Sequence, residues 1–333
     1  MKRLNLLDDI YYSKEYVSLY LKDNESVFLF QYNEGEEIFY NIAIKRPVDK
    51  IGSVNIVDGY YDLETAYGYG GYYATTDDAA FLRRSYDAYQ NKCLDERIIA
   101  EFIRFHPYND IPVKWDSYFD FLALDRKTIS IDLSVKKEER WADYSATTRN
   151  ILRRSSDDLF INESVDIYAF MELYQSTMKR NNAEFSYYFD KKYYEELLLL
   201  DNVKLFAVMH NNCIVNMSFV LFGKQIMHYH LSANNNDFMR KQGNYYLLDF
   251  LCDYAKTKYP EISAFHLGGG RTNSTDDSLL GFKSKFSKIR NNFYIAGKVF
   301  NKSVYRSYIE LFHELYPEHV CTKYFLKYRL ASS

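Results

Sequence analysis

A mixed α/β fold in two lobes is what the chain predicts, and three observations carry that prediction. Its 333 residues exceed the roughly 250 to 300 at which a single hydrophobic core stops growing. Short apolar runs of strand length alternate with segments of helical periodicity along the whole chain. The second half also runs helices, antiparallel meander, helix, strand, and the first half shows a looser version of that order, which predicts two related lobes. Composition agrees: 47% hydrophobic residues with only 13 Gly and 5 Pro leave little room for disordered stretches.

In chain order, Val27–Phe30 and Ile38–Ile44 read as hairpin strands around the charged turn Asn33 to Glu36. The glycine- and tyrosine-rich segment from Asp58 to Tyr73 completes an opening meander. A helix is predicted from Asp77 to about Asn91, capped by Thr75 or Thr76 and favoured by the acidic first turn. Alternation over Ile98–His106 predicts a strand with charges on both faces, and Thr128–Leu133 another, before a polar helix from Lys136 to Ser155. These place the lobe boundary near residue 135, giving lobes 1–135 and 136–333.

In the second lobe Ile167, Phe170, Met171, Tyr174 and Met178 recur at helical spacing, and Tyr193, Leu197, Leu198 and Leu200 suggest the next helix. Lys204–Met209, Cys213–Phe222 and Gln225–Leu231 read as strands, Tyr245–Lys258 as a helix and Ser263–Leu267 as a strand. That element order resembles the order of a Gcn5-related acetyltransferase (GNAT) lobe.

Forty-two basic and 45 acidic residues, net −3, supply no global basic field, which argues against DNA and leaves only a local patch for any RNA. The 34 tyrosines suit half-buried surfaces and polar clefts, and a compositional bias explains them equally well. Cys93, Cys213, Cys252 and Cys321 are widely spaced, which suggests buried free thiols rather than a disulfide framework or zinc knuckle. No apolar window reaches the roughly 20 residues of a membrane span, so a cytoplasmic protein without a transmembrane segment is expected.

Four segments, in order, resemble the FemAB-like family of acyltransferases: Asp62 to Gly71, Ala100 to Pro107, Ile129–Leu133 through Thr148–Ile151, and Phe265–Gly270 leading to Gly281–Phe286. The family includes peptidoglycan-bridge aminoacyltransferases and enzymes of surface-polysaccharide synthesis. The resemblance implies two GNAT-like lobes facing across a cleft, with the first holding the acceptor and the second the donor and the catalytic lysine. Bridge-forming members commonly carry a long helical arm, and no heptad stretch of that length lies between Ser155 and Asp201.

Acyl transfer to an amine needs a neutral nucleophile and donors aimed at the developing oxyanion. No GxSxG motif is present, so direct attack of acceptor on donor fits better than a covalent serine intermediate. By resemblance, Lys283 between Phe282 and Phe286 is the catalytic or phosphate-clamping residue, with Lys285 beside it. A solvated surface lysine is the plain alternative. Arg271 follows Gly268–Gly270, where glycines let a backbone approach a ligand and an arginine can hold a phosphate or carboxylate. A simple chain reversal explains the glycines too.

Arg240, Gly243 and Asn244 open a helix where GNAT enzymes receive the coenzyme A pyrophosphate. Tyr245 stands in place of a small residue there, and the expectation is that its ring crowds that anion. Glu64, Tyr67, Arg104 and Tyr229 complete the candidate acceptor pocket, while an Arg–Glu pair of Arg104 with Glu64 or Glu101 is an equally good structural reading. His228 and His230 share a strand face with His266 as the one further candidate ligand, and without a carboxylate cluster no metal site is predicted.

The expected function is therefore an acyl- or aminoacyltransferase that binds no cofactor and forms an amide on a small anionic, nucleotide- or lipid-linked envelope precursor. Its donor would be aminoacyl-tRNA or, alternatively, acyl-CoA acting on a sugar nucleotide. A non-catalytic binder of a glycan precursor is the third reading.

Overall fold

A computed structural model describes residues 4–155, 158–183, 187–274, 276–319 and 324–332. The strands in chain order are β1 (Ser26–Glu34), β2 (Glu37–Pro47), β3 (Lys50–Ile51), β4 (Val54–Asn55), β5 (Tyr61–Glu64), β6 (Tyr73–Ala74), β7 (Ile98–Arg104), β8 (Phe121–Asp132), β9 (Phe160–Ser164), β10 (Val203–His210), β11 (Cys213–Phe222), β12 (Ile226–Asn234), β13 (Ala264–Gly269) and β14 (Ile289–Val299). The helices are α1 (Lys14–Ser18), α2 (Ala79–Asp95), α3 (Ile111–Lys114), α4 (Lys137–Asp143), α5 (Ala146–Ser155), α6 (Ile167–Arg180), α7 (Lys191–Leu198), α8 (Gly243–Lys258), α9 (Ser278–Lys283) and α10 (Lys302–Leu315).

The chain forms two compact units. One comprises Asn5–Leu7, Tyr11–Asp125 and Asn292–Ser333, the other Met1–Leu4, Asp8–Ile10 and Arg126–Asn291. Each contains a parallel βαβ crossover: β5 and β7 pair in parallel around α2, and β12 and β13 around α8. In each unit the strands continue antiparallel on both sides of that pair. In the first unit β1 and β2 precede β5, and β14 pairs with β7; in the second β9, β10 and β11 precede β12, and β8 pairs with β13.

This pairing corrects the expected boundary at residue 135. The strand that follows β7 in the chain, β8, pairs with β13, and the strand that follows β13, β14, pairs with β7. Residues 292–333 therefore belong with the first unit, where Arg329 in the C-terminal segment bonds Asp62 of β5 at 2.7 Å and the Pro47 carbonyl at 2.9 Å. Hydrophobic pattern reveals strands but not their partners, so this exchange left no trace in a single sequence.

Local departures have local causes. The β1–β2 hairpin turns at Gly35 with φ of +57°, a left-handed value that glycine adopts without strain. Helix α2 starts two residues later than expected because Asp78, rather than either threonine, caps it by accepting from the Phe81 N–H at 2.7 Å. The predicted helix from 136 to 155 is two helices. Ser145 caps the second by accepting from the Thr148 N–H at 3.1 Å, which breaks the first at Tyr144. Cys93 and Cys252 are buried as expected, Cys213 is exposed at the start of β11, and Cys321 lies outside the described residues. No described helix is long and apolar enough to cross a membrane.

Strand β7, expected to carry charges on both faces, is buried through its first six residues. Glu101 consequently sits in the core, where Tyr72 and Tyr89 donate to its Oε2 at 2.6 and 2.7 Å and the Asn41 amide to its Oε1 at 2.8 Å. Burial pushes its carboxyl up to about 7, against the three hydrogen bonds that favour the anion. Because the folded state holds this proton more tightly than the unfolded one, its contribution is fully present below the ordinary value of 4.5 and is lost as pH rises through about 7. Glu101→Gln should flatten the fall of thermal midpoint over that window, as followed by circular dichroism. An undiminished slope would place the titrating group elsewhere.

Candidate active site

In the second unit, β12 and β13 pair only over Ile226–His228 and Ala264–His266, while β12 runs on to Asn234 and β13 to Gly269. Ligands of open α/β sheets bind beyond the carboxyl ends of parallel strands, and the candidate residues of this unit cluster there. Helix α8 begins after β12, and the glycine turn follows β13.

Lys283 ends the short helix α9 and is only 7% exposed. Its Nζ donates to the Gly269 carbonyl at 2.7 Å, and among the described residues no carboxylate comes within ion-pair distance of it. Burial lowers its amine to about 7, with Asp277 pulling upward and Arg126 pushing further down. The surface-lysine alternative is removed by the 7% exposure: this is a desolvated amine, whose burial favours the neutral form.

The turn that supplies its acceptor is held on two sides. Asp277 Oδ2 accepts from the backbone N–H groups of Arg271 (2.9 Å) and Thr272 (3.0 Å), while Oδ1 accepts from Leu279 and Leu280 at 2.9 Å each, which caps α9. On the other side Arg126 of β8 donates to the carbonyls of Gly270 (2.9 Å) and Arg271 (3.0 Å). The glycines follow from this crowding. A Cβ on Gly270 would meet the Asp277 carboxyl at 2.6 Å, and one on Gly269 would meet Arg126 Cδ at 2.9 Å. The Arg271 side chain is exposed and donates to Ser278 Oγ at 3.2 Å.

At the start of α8, Gln242 is left-handed (φ 54°, ψ 41°) and provides no side-chain cap. Gly243 is buried because an added Cβ would stand 2.7 Å from Val215, so its smallness serves packing against β11. Asn244 is half-buried and its Oδ1 accepts from the Tyr245 N–H at 3.1 Å, and Arg240 is exposed in the preceding turn. The expected crowding by Tyr245 is corrected: its ring points into the core, edge-on to Phe282 at 4.9 Å and tilted against Phe286 at 5.5 Å. Lys285 donates to the Tyr245 hydroxyl at 3.0 Å, and its own carbonyl accepts from the Ser145 N–H at 2.8 Å.

Tyr229 is half-buried and donates to Ser232 Oγ at 2.6 Å, within a chain of Ser218, Ser232 and Asn216 side chains. The histidines, for which sequence showed no carboxylate cluster, have one carboxylate beside them. Asp9 Oδ2 lies 2.7 Å from His228 Nε2, and His228 Nδ1 lies 3.3 Å from His266 Nδ1, all three buried. His230 instead meets the Tyr193 hydroxyl at 2.9 Å, and burial, then the nearby His228, lowers it to about 3.

Three candidates belong to the first unit. Glu64 bridges Arg104, at 2.7 Å, and Arg46, which also bonds Asp62 at 2.8 Å. Burial raises the Glu64 carboxyl, but Arg104 and then Arg46 outweigh it and hold the group below its usual range. Arg104 also donates to the Thr65 carbonyl at 2.9 Å, and the Tyr67 carbonyl accepts from the Tyr16 hydroxyl at 2.9 Å. The Arg–Glu pairing read as an alternative from sequence is therefore present. Asp277 left a signal in the sequence, an N-cap residue ahead of an apolar turn; Arg126 and Asp9 left none.

No family model and no curated protein matches the sequence. Among solved structures, FemX matches with a TM-score of 0.70 at 12% identity, over 92% of this chain and 95% of its own. This chain has the FemX fold. The same fold extends to the C-terminal domain of an Agrobacterium fabrum protein named as a lysylphosphatidylglycerol synthetase, at TM-score 0.53, 13% identity and coverage of 88% and 89%. A conserved Bacteroides thetaiotaomicron protein of unknown function follows at 0.52 and 11% identity, covering 89% of this chain and 92% of its own. The expected mixed α/β class in two units is thus met by a FemX fold.

Lys283 has a thermodynamic consequence. Its folded-state value is lowered to about 7 from 10.5, so between those values the unfolded chain binds more protons and stability rises with pH. The destabilisation is complete below about pH 7 and gone by 10.5. Lys283→Met should melt higher than wild type in the acid range, by on the order of a few kcal/mol, with the two curves converging toward pH 10.5. A pH-independent difference would contradict the buried amine.

Proposed function

We propose that the protein is an acyltransferase that joins an aminoacyl or acyl group to an amine of a small anionic, nucleotide- or lipid-linked cell-envelope precursor. The observation that carries this reading is the desolvated Lys283 amine fixed at the end of β13 in a FemX fold. An acceptor amine reaches the site largely as an ammonium ion and must lose a proton to attack. Neutral Lys283 can take that proton, and the resulting ammonium then stands ready to stabilise the oxyanion and to protonate the leaving oxygen or sulfur. The new C–N bond forms as the donor's C–O or C–S bond breaks.

Arg271, exposed beside the glycine turn, and Lys285 and Arg240 flanking α8 suit phosphate groups of donor or acceptor. Aminoacyl-tRNA is the donor we favour, on the FemX fold and the resemblance in the four motif segments. A second reading, an acyl-CoA-dependent N-acyltransferase acting on a sugar nucleotide, is favoured by one specific observation. With the Tyr245 ring turned into the core, the uncapped start of α8 is not crowded by it.

Incubation with charged tRNA pools and with coenzyme A thioesters, followed by mass spectrometry of retained ligands and products, separates the two donors. Lys283→Met should lower turnover by about 10²-fold or more with the fold retained, and wild-type kcat/KM should rise as pH passes through about 7. Retention of neither donor class, or equal turnover by wild type and variant, would leave the non-catalytic binding reading in its place.

A further inference from the structure

Lys283 does not hold its own position. It sits at the last residue of a six-residue helix, and its acceptor, the Gly269 carbonyl, ends β13, where Gly269 pairs with Thr128 of β8 and Gly270 to Thr272 follow outside the strand. A helix this short is marginal without outside support, and the glycine exit from the strand favours no single backbone conformation. Asp277 joins the two. One carboxylate oxygen caps α9 through Leu279 and Leu280, and the other binds the turn through the N–H groups of Arg271 and Thr272 and the Thr272 hydroxyl at 3.2 Å.

We propose that Asp277 is the positioning residue of this site, locking the glycine turn to α9 so that the Lys283 amine is held against the Gly269 carbonyl, with Arg126 as the opposing cationic clamp. The inference rests on the reading of Lys283 as the catalytic residue and adds how that residue is placed and tuned. Asp277 is itself 7% exposed, and although burial raises its carboxyl, the donated backbone hydrogen bonds outweigh this and keep it ionised. A negative group and a positive one therefore both hold the backbone at Gly270–Thr272, next to the Gly269 carbonyl that accepts from the amine.

Charged side chains on the segments around Lys283 include Asp277, Arg126, Arg271 and Lys285, with Asp276 exposed next to Asp277. Asp277 is at the cap of its own helix, Arg126 comes from β8, Arg271 leaves the turn toward Ser278, and Lys285 turns to the Tyr245 hydroxyl. Asp277 and Arg126 are the two that act on the amine, with opposite signs. A merely structural aspartate would stabilise the fold without moving the ionisation of Lys283. A positioning pair moves it in two directions.

The test follows the Lys283 Cε resonance in full-length protein labelled with carbon-13 lysine, assigned by its loss in Lys283→Met and titrated by NMR. Asp277→Asn keeps a cap for α9 through its amide oxygen but removes the charge and the second set of acceptors. Its Lys283 midpoint should fall by about one pH unit, while Arg126→Gln should raise it by a similar amount. Resonances of Gly268–Thr272 should also shift in Asp277→Asn. Unchanged midpoints, or shifts of the same sign in both variants, would overturn the proposal. Should Asp277→Asn fail to fold, Arg126→Gln decides alone: an upward shift supports the clamp, and none sinks it. These readouts need no substrate, so they stay distinct from a failure of the proposed reaction.

Discussion

Taking an amine out of water costs free energy that a single neutral carbonyl does not return. Lys283 bears that cost at the end of β13, and the surrounding unit is arranged so that it cannot escape. The glycine turn is pinned from both sides, α9 is capped by the same carboxylate that pins the turn, and Phe282 and Phe286 bind α9 and its continuation to the Tyr245 ring. An amine free to swing into solvent would recover its ordinary ionisation and its ordinary inertness toward protonated nucleophiles. The burial of the amine and its hydrogen bond therefore share one origin, the tie that Asp277 makes between Arg271–Thr272 and the start of α9.

Buried charges elsewhere show what a structural solution looks like. In the first unit Asp62 and Glu64 are matched by Arg46, Arg104 and Arg329, and this cluster ties β2, β5, β7 and the C-terminal segment together. Each carboxylate there has cationic partners in direct contact. Removing one partner would strand a charge, which is why such clusters are kept even where their net contribution is small. Lys283 differs in that no carboxylate among the described residues lies in direct contact with its amine, which donates to the neutral Gly269 carbonyl, a pattern that marks candidate functional sites more often than structural ion pairs.

The FemX fold gives the two parallel crossovers their meaning as a frame. In the second unit β12 and β13 share three register pairs and then extend past their last one, leaving α8 and the glycine turn at their carboxyl ends. Gly243 lets α8 sit against Val215 at the irregular step between β10 and β11, and Tyr245 seals the helix to α9. A tyrosine that looked like an obstacle to an anionic ligand is instead part of the packing that fixes the amine.

Much of this was legible in the residues alone. Alternation and helical spacing marked the hairpin of β1 and β2, the meander of β10 to β12, and the helices α6, α7 and α8, because a side chain's face follows directly from its position in a period of 2 or 3.6. The segment around Lys283 was legible in another way, through its resemblance to FemAB-like sequences, because its glycines, aromatics and lysine lie within twenty positions of one another. Tertiary structure alone decided which strand pairs with which, and so carried β14 and the C-terminal segment back to the first unit. It alone set Arg126 against a turn 144 residues away and Asp9 against a histidine 219 residues away. Ionisation belonged to it as well, since a lysine's charge depends on the dielectric and the partners that packing brings to it, and those are properties of a place rather than of a residue.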